Sequence, residues 1–240
     1  MNAFRSRSNR SGGGYFIEFL IIIAGIMVSF LLNEWREDRS LEEKKITLLK
    51  EIQTDLKKDS AVLTYSMGFY KKMLQSHDSL LLNRNKKFNE DSLDIYLDYV
   101  CSYYPFQPAE KTYLKIHNNN NLVIEKEDSL FEDFLNLHNF LYANYKEWSF
   151  IEKNFVLNKM LPYLDENASF HYPPPENKLF DGEVFYELKD QSTFMNYIKS
   201  GRLYKFAMIG ISEACMAQLN QLNQEISTHL REIENQEWPI

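Results

Sequence analysis

The chain of 240 residues is poor in the residues that build metal and disulfide sites. It has only Cys101 and Cys215, which lie far apart and have neither CxxC spacing nor a neighbouring histidine. This arrangement argues against a zinc site, and two separately buried thiols are favoured over one disulfide. The five histidines form no HExxH or HxH pair, and the chain has no phosphate-binding loop or dinucleotide fingerprint. We therefore predict no metal and no other cofactor, and the sequence reveals no catalytic residue.

The chain also lacks an excess of basic charge. Its formal net charge is -7 and its isoelectric point is near 5.4. Nucleic-acid binding needs a concentrated basic face that neutralises phosphates, and no such face is visible in the sequence. We therefore exclude nucleic acid as a partner.

Long apolar runs are absent except for one near the N-terminus. Residues 15–32 read YFIEFLIIIAGIMVSFLL and contain a single charge, that of Glu18. This length is close to the roughly 20 apolar residues that cross a hydrocarbon core. We predict a transmembrane helix over residues 15–33, a charged stalk over 34–48 and one domain over 49–240. The lipid bilayer is therefore the first expected partner.

The distribution of charge predicts the orientation of this anchor. The tail, residues 1–14, carries Arg5, Arg7 and Arg10 without an acid, whereas the other flank of the span has mixed charges. Basic residues beside a span favour the cytoplasmic side of a membrane. We expect a single-pass protein with its N-terminus in the cytoplasm and its domain outside. The residues after the run do not resemble a signal-peptidase site, which favours an uncleaved signal anchor.

One face of the predicted span carries residues that could bring two helices together. Glu18, Gly25 and Ser29 recur at seven- and four-residue steps, which places them on one side of a helix. Gly25 and Ser29 form a small-xxx-small pair that allows two helices to approach closely. One interpretation is self-association through this face with Glu18 in the contact. The favoured alternative is that Glu18 lies in the first turn and reaches the membrane interface.

The run EFLIIIAGIMVSFLLNEWRE, residues 18–37, resembles the opening signature of a family of single-span membrane proteins of unknown function that is widespread in Bacteroidota. The matching positions are Glu18, Gly25, Ile26, Asn33, Trp35 and Glu37. A second similar pattern is formed by Leu48, Leu49, Ile52, Asp55 and Leu56, and a third by residues 112–124. The resemblance implies one membrane span and a helical domain outside the membrane. Together with the charge of the tail, this predicts a bacterial inner-membrane protein with its C-terminal domain in the periplasm. The resemblance implies no activity, cofactor or catalytic residue.

The rest of the sequence predicts a mainly all-α domain, built as an elongated helical bundle. Apolar residues recur at helical spacing over 49–82, 91–104, 129–161 and 193–236, and a short helix is expected at 109–117. The last long helix is expected to place its apolar residues in the core, among them Phe194, Ile198, Leu203, Phe206, Cys215 and Leu219.

Proline and glycine predict where these helices end or break. Pro162 is expected to end the third long helix, and Gly201 and Gly210 are potential interruptions of the last one. Residues 165–189 form the one irregular segment, rich in proline and aromatic residues, with a small hairpin as one option over 184–188.

Aromatic residues near the irregular parts of the chain are denser than a core requires. They define a candidate interaction surface that comprises Tyr103, Tyr104, Phe106, Phe170, Tyr172, Phe185 and Tyr186. Aromatic side chains beside irregular backbone are favoured at recognition surfaces. The favoured alternative is that these rings pack the loops onto the bundle.

These features favour a membrane-tethered, non-enzymatic helical protein that serves as an accessory, scaffold or sensing subunit of an envelope complex. Its partner would be another membrane or envelope protein, or a second copy of itself. Two alternatives stay open. One is a homo-oligomer that packs around Glu18 and conducts or couples ions, and the other is an envelope enzyme whose site is assembled from residues distant in sequence.

Overall fold

The computed structural model describes residues 12–118, 129–168 and 182–236. All secondary-structure elements in these ranges are helical, which confirms the all-α fold class. In chain order they are α1 (Gly12–Leu82), α2 (Glu90–Val100), α3 (Lys111–His117), α4 (Ser129–Asn136), the π-helical turn π1 (Leu137–Tyr142), α5 (Ala143–Phe155), the π-helical turn π2 (Val156–Met160), α6 (Leu161–Asn167), α7 (Glu183–Leu188) and α8 (Ser192–Gln236). Contacts divide the chain into two units, Met1–Leu48 and Leu49–Ile240.

The first unit contains the apolar run of α1. The side chains of residues 16–32 are all exposed, including Phe30 and Leu31. Among the described residues, α1 is the one helix that is long and apolar enough to cross a membrane. A core helix of a soluble domain would bury such side chains, because exposing apolar surface to water costs about 25 cal/mol per Å². The exposure therefore fits a helix surrounded by lipid.

The core of the second unit is formed by α1, α8 and the helical stretch from α4 to α6. Gln53 Nε2 of α1 donates a hydrogen bond to Ser227 Oγ of α8 at 2.7 Å. Further along α1, His77 lies against Gly201 of α8. Because the α8 residue number falls as the α1 number rises, the two helices run antiparallel within this unit. Buried leucine, isoleucine and aromatic residues fill the space between them and α5.

The prediction that Pro162 ends a helix was wrong. The helical path continues through π2 into α6, and Pro162 is the second residue of α6. A proline ring inside an α-helix clashes with the carbonyl group four residues earlier and cannot donate to it. In π2 the Leu161 N–H bonds to the Val156 carbonyl, five residues back. The wider π turn immediately before Pro162 accommodates its ring.

Two further sequence expectations were wrong. Residues 184–188 lie in helix α7, not in a hairpin, because Val184, Phe185 and Leu188 follow helical spacing and are all buried. Gly201 and Gly210 do not interrupt α8, which is helical from Ser192 to Gln236. Packing along the whole length of this helix outweighs the propensity cost of about 1 kcal/mol per glycine.

The boundaries of the short elements differ from the predicted ones. Helix α2 ends at Val100, several residues before Pro105, and residues 102–110 have no regular structure. A residue that precedes proline avoids the α conformation, which keeps this prolyl segment extended. Two carbonyl groups of this segment, those of Ser102 and Tyr104, accept hydrogen bonds from the core residues Lys205 and Tyr70.

Candidate functional site

The three predicted span residues lie on one face of α1, in the first unit. Glu18, Gly25 and Ser29 are exposed. The Ser29 hydroxyl donates a hydrogen bond to the Gly25 carbonyl oxygen at 2.8 Å within the same helix. A Cβ atom at Gly25 would meet nothing within 4 Å, so this face is open. Association through it stays a prediction.

The aromatic surface requires a correction at two positions. Phe106 is buried, and its ring centroid lies 5.1 Å from that of Tyr142 and 4.8 Å from that of Tyr145. Phe185 is completely buried and packs edge-on against Phe88 at 5.7 Å. Rings in such T-shaped contacts stabilise the core and are not available to a partner.

Three other members of the predicted aromatic surface are partly accessible. Tyr103, Tyr104 and Tyr186 are half-buried, and the Tyr186 hydroxyl accepts a hydrogen bond from the Phe88 N–H at 2.7 Å. Phe170 and Tyr172 lie outside the described residues. Of the five described members, two are buried and three are half-buried, so these five do not form one exposed surface.

The most concentrated chemistry in the second unit is a buried ion pair between α5 and α8. The Lys205 ammonium group contacts Glu152 Oε1, and both side chains are about 1% exposed. Lys205 Nζ also donates to the Ser102 carbonyl oxygen at 2.6 Å. The Tyr70 hydroxyl donates to Glu152 Oε2 at 2.6 Å, with the Tyr104 carbonyl oxygen at 2.9 Å as a second acceptor. This network joins α1, α5, α8 and the prolyl segment.

Burial determines the titration behaviour of this network. It lowers the pKa of Lys205, and the nearby Glu152 carboxylate opposes that shift. It raises the pKa of Tyr70 well above its usual range, and the Glu152 charge adds to the effect. An ion pair is tolerated in a low-dielectric core only when additional hydrogen bonds satisfy both partners. Here the carbonyl of Ser102 and the hydroxyl of Tyr70 supply them, so the network is electrostatically complete.

His77 lies next to this network at the crossing of α1 and α8. Its Nδ1 donates to the Met73 carbonyl oxygen at 2.8 Å, which leaves Nε2 unprotonated in the neutral ring. Burial, together with the Lys205 charge, lowers the pKa of His77 to about 3. A Cβ atom on Gly201 would lie 2.5 Å from Nε2, so any larger residue at this crossing would have to displace the buried His77 ring.

Two aspartates of α1 hold the prolyl segment and α3 against the bundle. Asp59 Oδ1 accepts the Ala109 N–H at 2.8 Å. Asp55 Oδ2 accepts the Thr112 hydroxyl at 2.6 Å and the Thr112 N–H at 3.2 Å. Carboxylates satisfy backbone N–H groups at the start of a helix, which would otherwise lack partners. Burial raises the pKa of Asp59 to about 6 despite the opposing Ala109 and Tyr142 groups.

The opposite side of α8 presents apolar residues to the outside. Five small or apolar residues at three- and four-residue spacing are exposed, and together they are called the α8 face: Leu203, Phe206, Gly210, Ala214 and Ala217. Glu213, three residues after Gly210, is exposed beside them. Leu203 is 60% exposed and Phe206 is 62% exposed, so the prediction that both lie in the core was wrong. In the second unit Phe140 and Phe150 are also exposed, and exposed Glu147 lies between them in the sequence.

The two thiols are separate and buried. Cys101 and Cys215 are both free, which agrees with the favoured sequence interpretation. Burial raises the pKa of each thiol to about 12. Because the thiolate is the reactive form, neither cysteine is expected to be modified readily in the folded protein.

Comparison with known proteins gives no match for this chain. No protein-family model matches it, and no curated protein or solved structure does so either. The resemblance to the single-span family of Bacteroidota therefore stays a prediction.

Sequence reasoning missed the buried network completely. Glu152 and Lys205 each occupy a position in the apolar register of a helix, seven residues after the buried Tyr145 and Ile198 respectively. A charged residue at such a position is the signal that could have pointed to a buried pair. The exposed position of Phe206 had no comparable signal.

Proposed function

We propose that this chain is a membrane-tethered, non-enzymatic protein that acts by binding another protein through the α8 face. It would serve as a scaffold or accessory subunit of an envelope complex. The observation that carries the proposal is the exposure of Leu203 and Phe206 beside Gly210, Ala214 and Ala217. Contiguous exposed apolar patches mark interaction sites more often than isolated residues do.

The chemistry of the face supports a protein partner. Between residues 203 and 217, Glu213 is the one charged side chain that is exposed, because Lys205 is buried. Burying a leucine or phenylalanine side chain contributes roughly 1.5–3 kcal/mol. Interface cores are depleted of charge and enriched in aromatic anchors, which matches this composition.

The buried network supports binding over catalysis. Lys205, Glu152 and Tyr70 would be the natural acid and base groups, but all three are enclosed between helices. A substrate would reach them only if α5 and α8 separated. Two grooves on the described part of the chain are lined by residues 33–44 and by residues of α4 and α8 around 221–232, away from these three side chains. The network is better suited to fixing the register of the bundle.

The apolar run supports tethering in a membrane. Its side chains are exposed along the whole of residues 16–32, which lipid would cover. We propose that this run spans a bacterial inner membrane with the N-terminal arginines in the cytoplasm and the domain in the periplasm. This orientation rests on the charge of the tail.

Photo-crosslinking in native membranes tests the proposal. Phe206 is replaced with the photoreactive amino acid p-benzoylphenylalanine, and Lys153, an exposed residue of α5, is replaced in a matched control. Illumination should give one discrete protein adduct from position 206 and none from position 153. Absence of a discrete adduct at 206, with the chain folded and in the membrane, would contradict binding through this face.

A further inference from the structure

We infer that residues 109–117 form a strap that opens locally from the bundle, and that a proton on Asp59 holds the strap closed. The strap comprises the end of the prolyl segment and the whole of α3. The inference is independent of the α8 face. It is carried by the way the strap is attached, through two buried aspartates of α1, and by the different partners of these two carboxylates.

The strap is attached by polar contacts more than by apolar packing. Thr112 is the one buried residue among residues 109–117. Helix α7 is one residue shorter than α3, yet it buries Val184, Phe185 and Leu188. Apolar burial is the dominant favourable contribution that fixes an element to a core. Separation of α3 from the bundle should therefore cost less free energy than separation of α7.

The exposed ion pairs of the strap are weak. Lys115 pairs with Glu51 of α1 at 2.7 Å, and Glu110 pairs with Lys146 of α5. Exposed ion pairs usually contribute little to stability, because water and salt screen them. The buried hydrogen bonds to the two aspartates are therefore the main polar contacts that hold the strap.

The two aspartates that hold the strap differ in their partners. Asp55 accepts the Thr112 hydroxyl, the Thr112 N–H and, at 3.3 Å, the Lys58 ammonium group. Asp59 Oδ1 accepts the Ala109 N–H, whereas Oδ2 has no hydrogen-bond partner among the described residues. A buried carboxylate with few donors is disfavoured in its charged form. Of the two aspartates, Asp59 is therefore the better place for a proton.

Few titratable groups face Asp59. On α1 they are Asp55, one helical turn away, and Lys58, whose side chain is mostly exposed. From π1 the Tyr142 hydroxyl lies close to the carboxyl group, and from α8 the Cys215 thiol lies close to that hydroxyl. Burial, and to a smaller extent the Asp55 charge, raises the pKa of Asp59 to about 6.

Opening of the strap reverses the preference of Asp59 for the proton. Water then reaches the carboxyl group, and its pKa returns toward the ordinary 3.8, so the open state favours the charged form. In the closed state the neutral group keeps Oδ1 as the acceptor for Ala109 and can donate its proton to the Tyr142 hydroxyl. The closed state should therefore gain about tenfold in population for each pH unit below about 6, down to about pH 4.

His138 of π1 responds to acid in the opposite sense. The Tyr113 ring of the strap stacks on His138 with the ring centroids 4.5 Å apart, and burial lowers the pKa of His138 to about 4. When Tyr113 moves away, the imidazole regains contact with water and binds a proton more readily. Acid thus favours opening through His138 and closing through Asp59, so a variant of each residue is needed to separate the two effects.

Hydrogen exchange of the full chain in detergent, measured by mass spectrometry, provides the test. Peptides covering residues 109–117 report strap opening, and peptides from α8 report global unfolding. Strap amides should be at least about tenfold less protected than the buried part of α8. After correction for intrinsic exchange, opening of Asp59→Asn relative to the parent should rise about tenfold from pH 7 to pH 5, because asparagine does not bind the proton. The same ratio for His138→Gln should fall.

Thr112→Val is the matched control, because it removes one hydrogen bond to Asp55 and changes no titratable group. Its strap should open about two- to tenfold more than that of the parent at every pH, with the pH profile of the parent. Parallel pH profiles for the parent and Asp59→Asn would overturn the inference. So would strap amides that exchange only together with those of α8.

A second variant keeps the test decisive if Asp59→Asn loses the protection of α8. Tyr142→Phe removes the hydroxyl that lowers the pKa of Asp59, so closing of the strap should begin at a higher pH than in the parent. An unchanged pH profile for Tyr142→Phe would contradict the role of Asp59 just as directly.

Discussion

Lys205 and Phe206 are consecutive residues of α8 and lie in opposite environments. The Lys205 side chain is completely buried, whereas Phe206 is 62% exposed. The usual preferences of these residue types are the reverse, since lysine is almost never fully buried unless it is paired. One helix thus buries a cation on one face and exposes an aromatic ring on the other.

The difference shows how the two faces are stabilised. The buried cation has its partners within the chain, namely Glu152 and the Ser102 carbonyl group. The exposed ring has no comparable role in the fold, because the core is filled by other aromatic residues such as Phe155 and Phe194. The inner face of α8 is therefore accounted for by contacts within one chain, whereas the outer face is the surface through which we propose that another protein binds.

Removing the buried cation Lys205 should lower the stability of the fold more than any other change considered. Lys205→Met leaves the Glu152 carboxylate without its ion-pair partner, which should lower the free energy of unfolding by about 3–5 kcal/mol. The double variant Lys205→Met, Glu152→Leu should lose less, because Tyr70 keeps the Tyr104 carbonyl oxygen as acceptor. The measurement is denaturant unfolding of the full chain in detergent, followed by circular dichroism.

The matched control is the neighbouring residue on the outer face. Phe206→Ala should change the free energy of unfolding by no more than about 0.5 kcal/mol, as is usual for exposed positions. A loss of less than about 1 kcal/mol for Lys205→Met would show that the ion pair is not coupled to folding.

Acid should lower the free energy of unfolding through His77, the α1 residue that packs against the inner face of α8. Its pKa is about 3 in the folded chain, below the ordinary 6.5 of the unfolded one. As the pH falls below 6.5 the unfolded state binds the proton first, so stability decreases by roughly 1.4 kcal/mol per pH unit down to about pH 3. His77→Gln removes this group, so its free energy of unfolding should fall less than that of the parent between pH 6.5 and 4.5.

Asp59 supplies a control of opposite sign. Its pKa of about 6 lies above the ordinary 3.8, so the folded state binds the proton first and gains stability as the pH falls from 6 to 4. Asp59→Asn should therefore make the acid-induced loss steeper than in the parent. Identical slopes for the parent and His77→Gln would contradict the assignment of His77 as a buried neutral ring.

The sequence predicted the helices better than it predicted which of their faces are buried. Apolar spacing located α1, α5 and α8 because long amphipathic helices repeat their signal many times. It did not separate Phe206 from the core residues, since Leu203, Phe206 and Ile209 also lie at helical spacing. Two apolar stripes on one helix can be told apart only once the neighbouring helices are known.

The candidate site was harder to predict for a different reason. The buried pair joins Glu152 to Lys205, and Tyr70 completes it from a third helix. Such contacts depend on how distant segments cross, which spacing along one helix does not specify. Pro162 was misjudged because the π turn before it is a local adjustment that no propensity rule anticipates.

Substitutions of the two glycines of α8 should change the free energy of unfolding less than loss of the buried cation does. Because one glycine lies on each face of the helix, they also compare the two faces directly. Gly201→Ala brings a Cβ atom to 2.5 Å from His77 Nε2 and should lower the free energy of unfolding by about 1–3 kcal/mol. Gly210→Ala meets nothing within 4 Å and should raise it by about 0.5–1 kcal/mol, because alanine has the better helix propensity. Both variants are measured by thermal unfolding in detergent, where tethered contacts are diluted.

The same pair then separates folding from association. In native membranes, Gly210→Ala should give less photo-adduct from p-benzoylphenylalanine at position 206 than the chain with Gly210 gives, although its fold is more stable, because the added methyl group keeps a partner helix at a greater distance. Adduct yields are compared at equal protein levels. If Gly210→Ala gained stability and kept its adduct yield, the glycine would have no function at a helix contact, and the outer face of α8 would need another explanation.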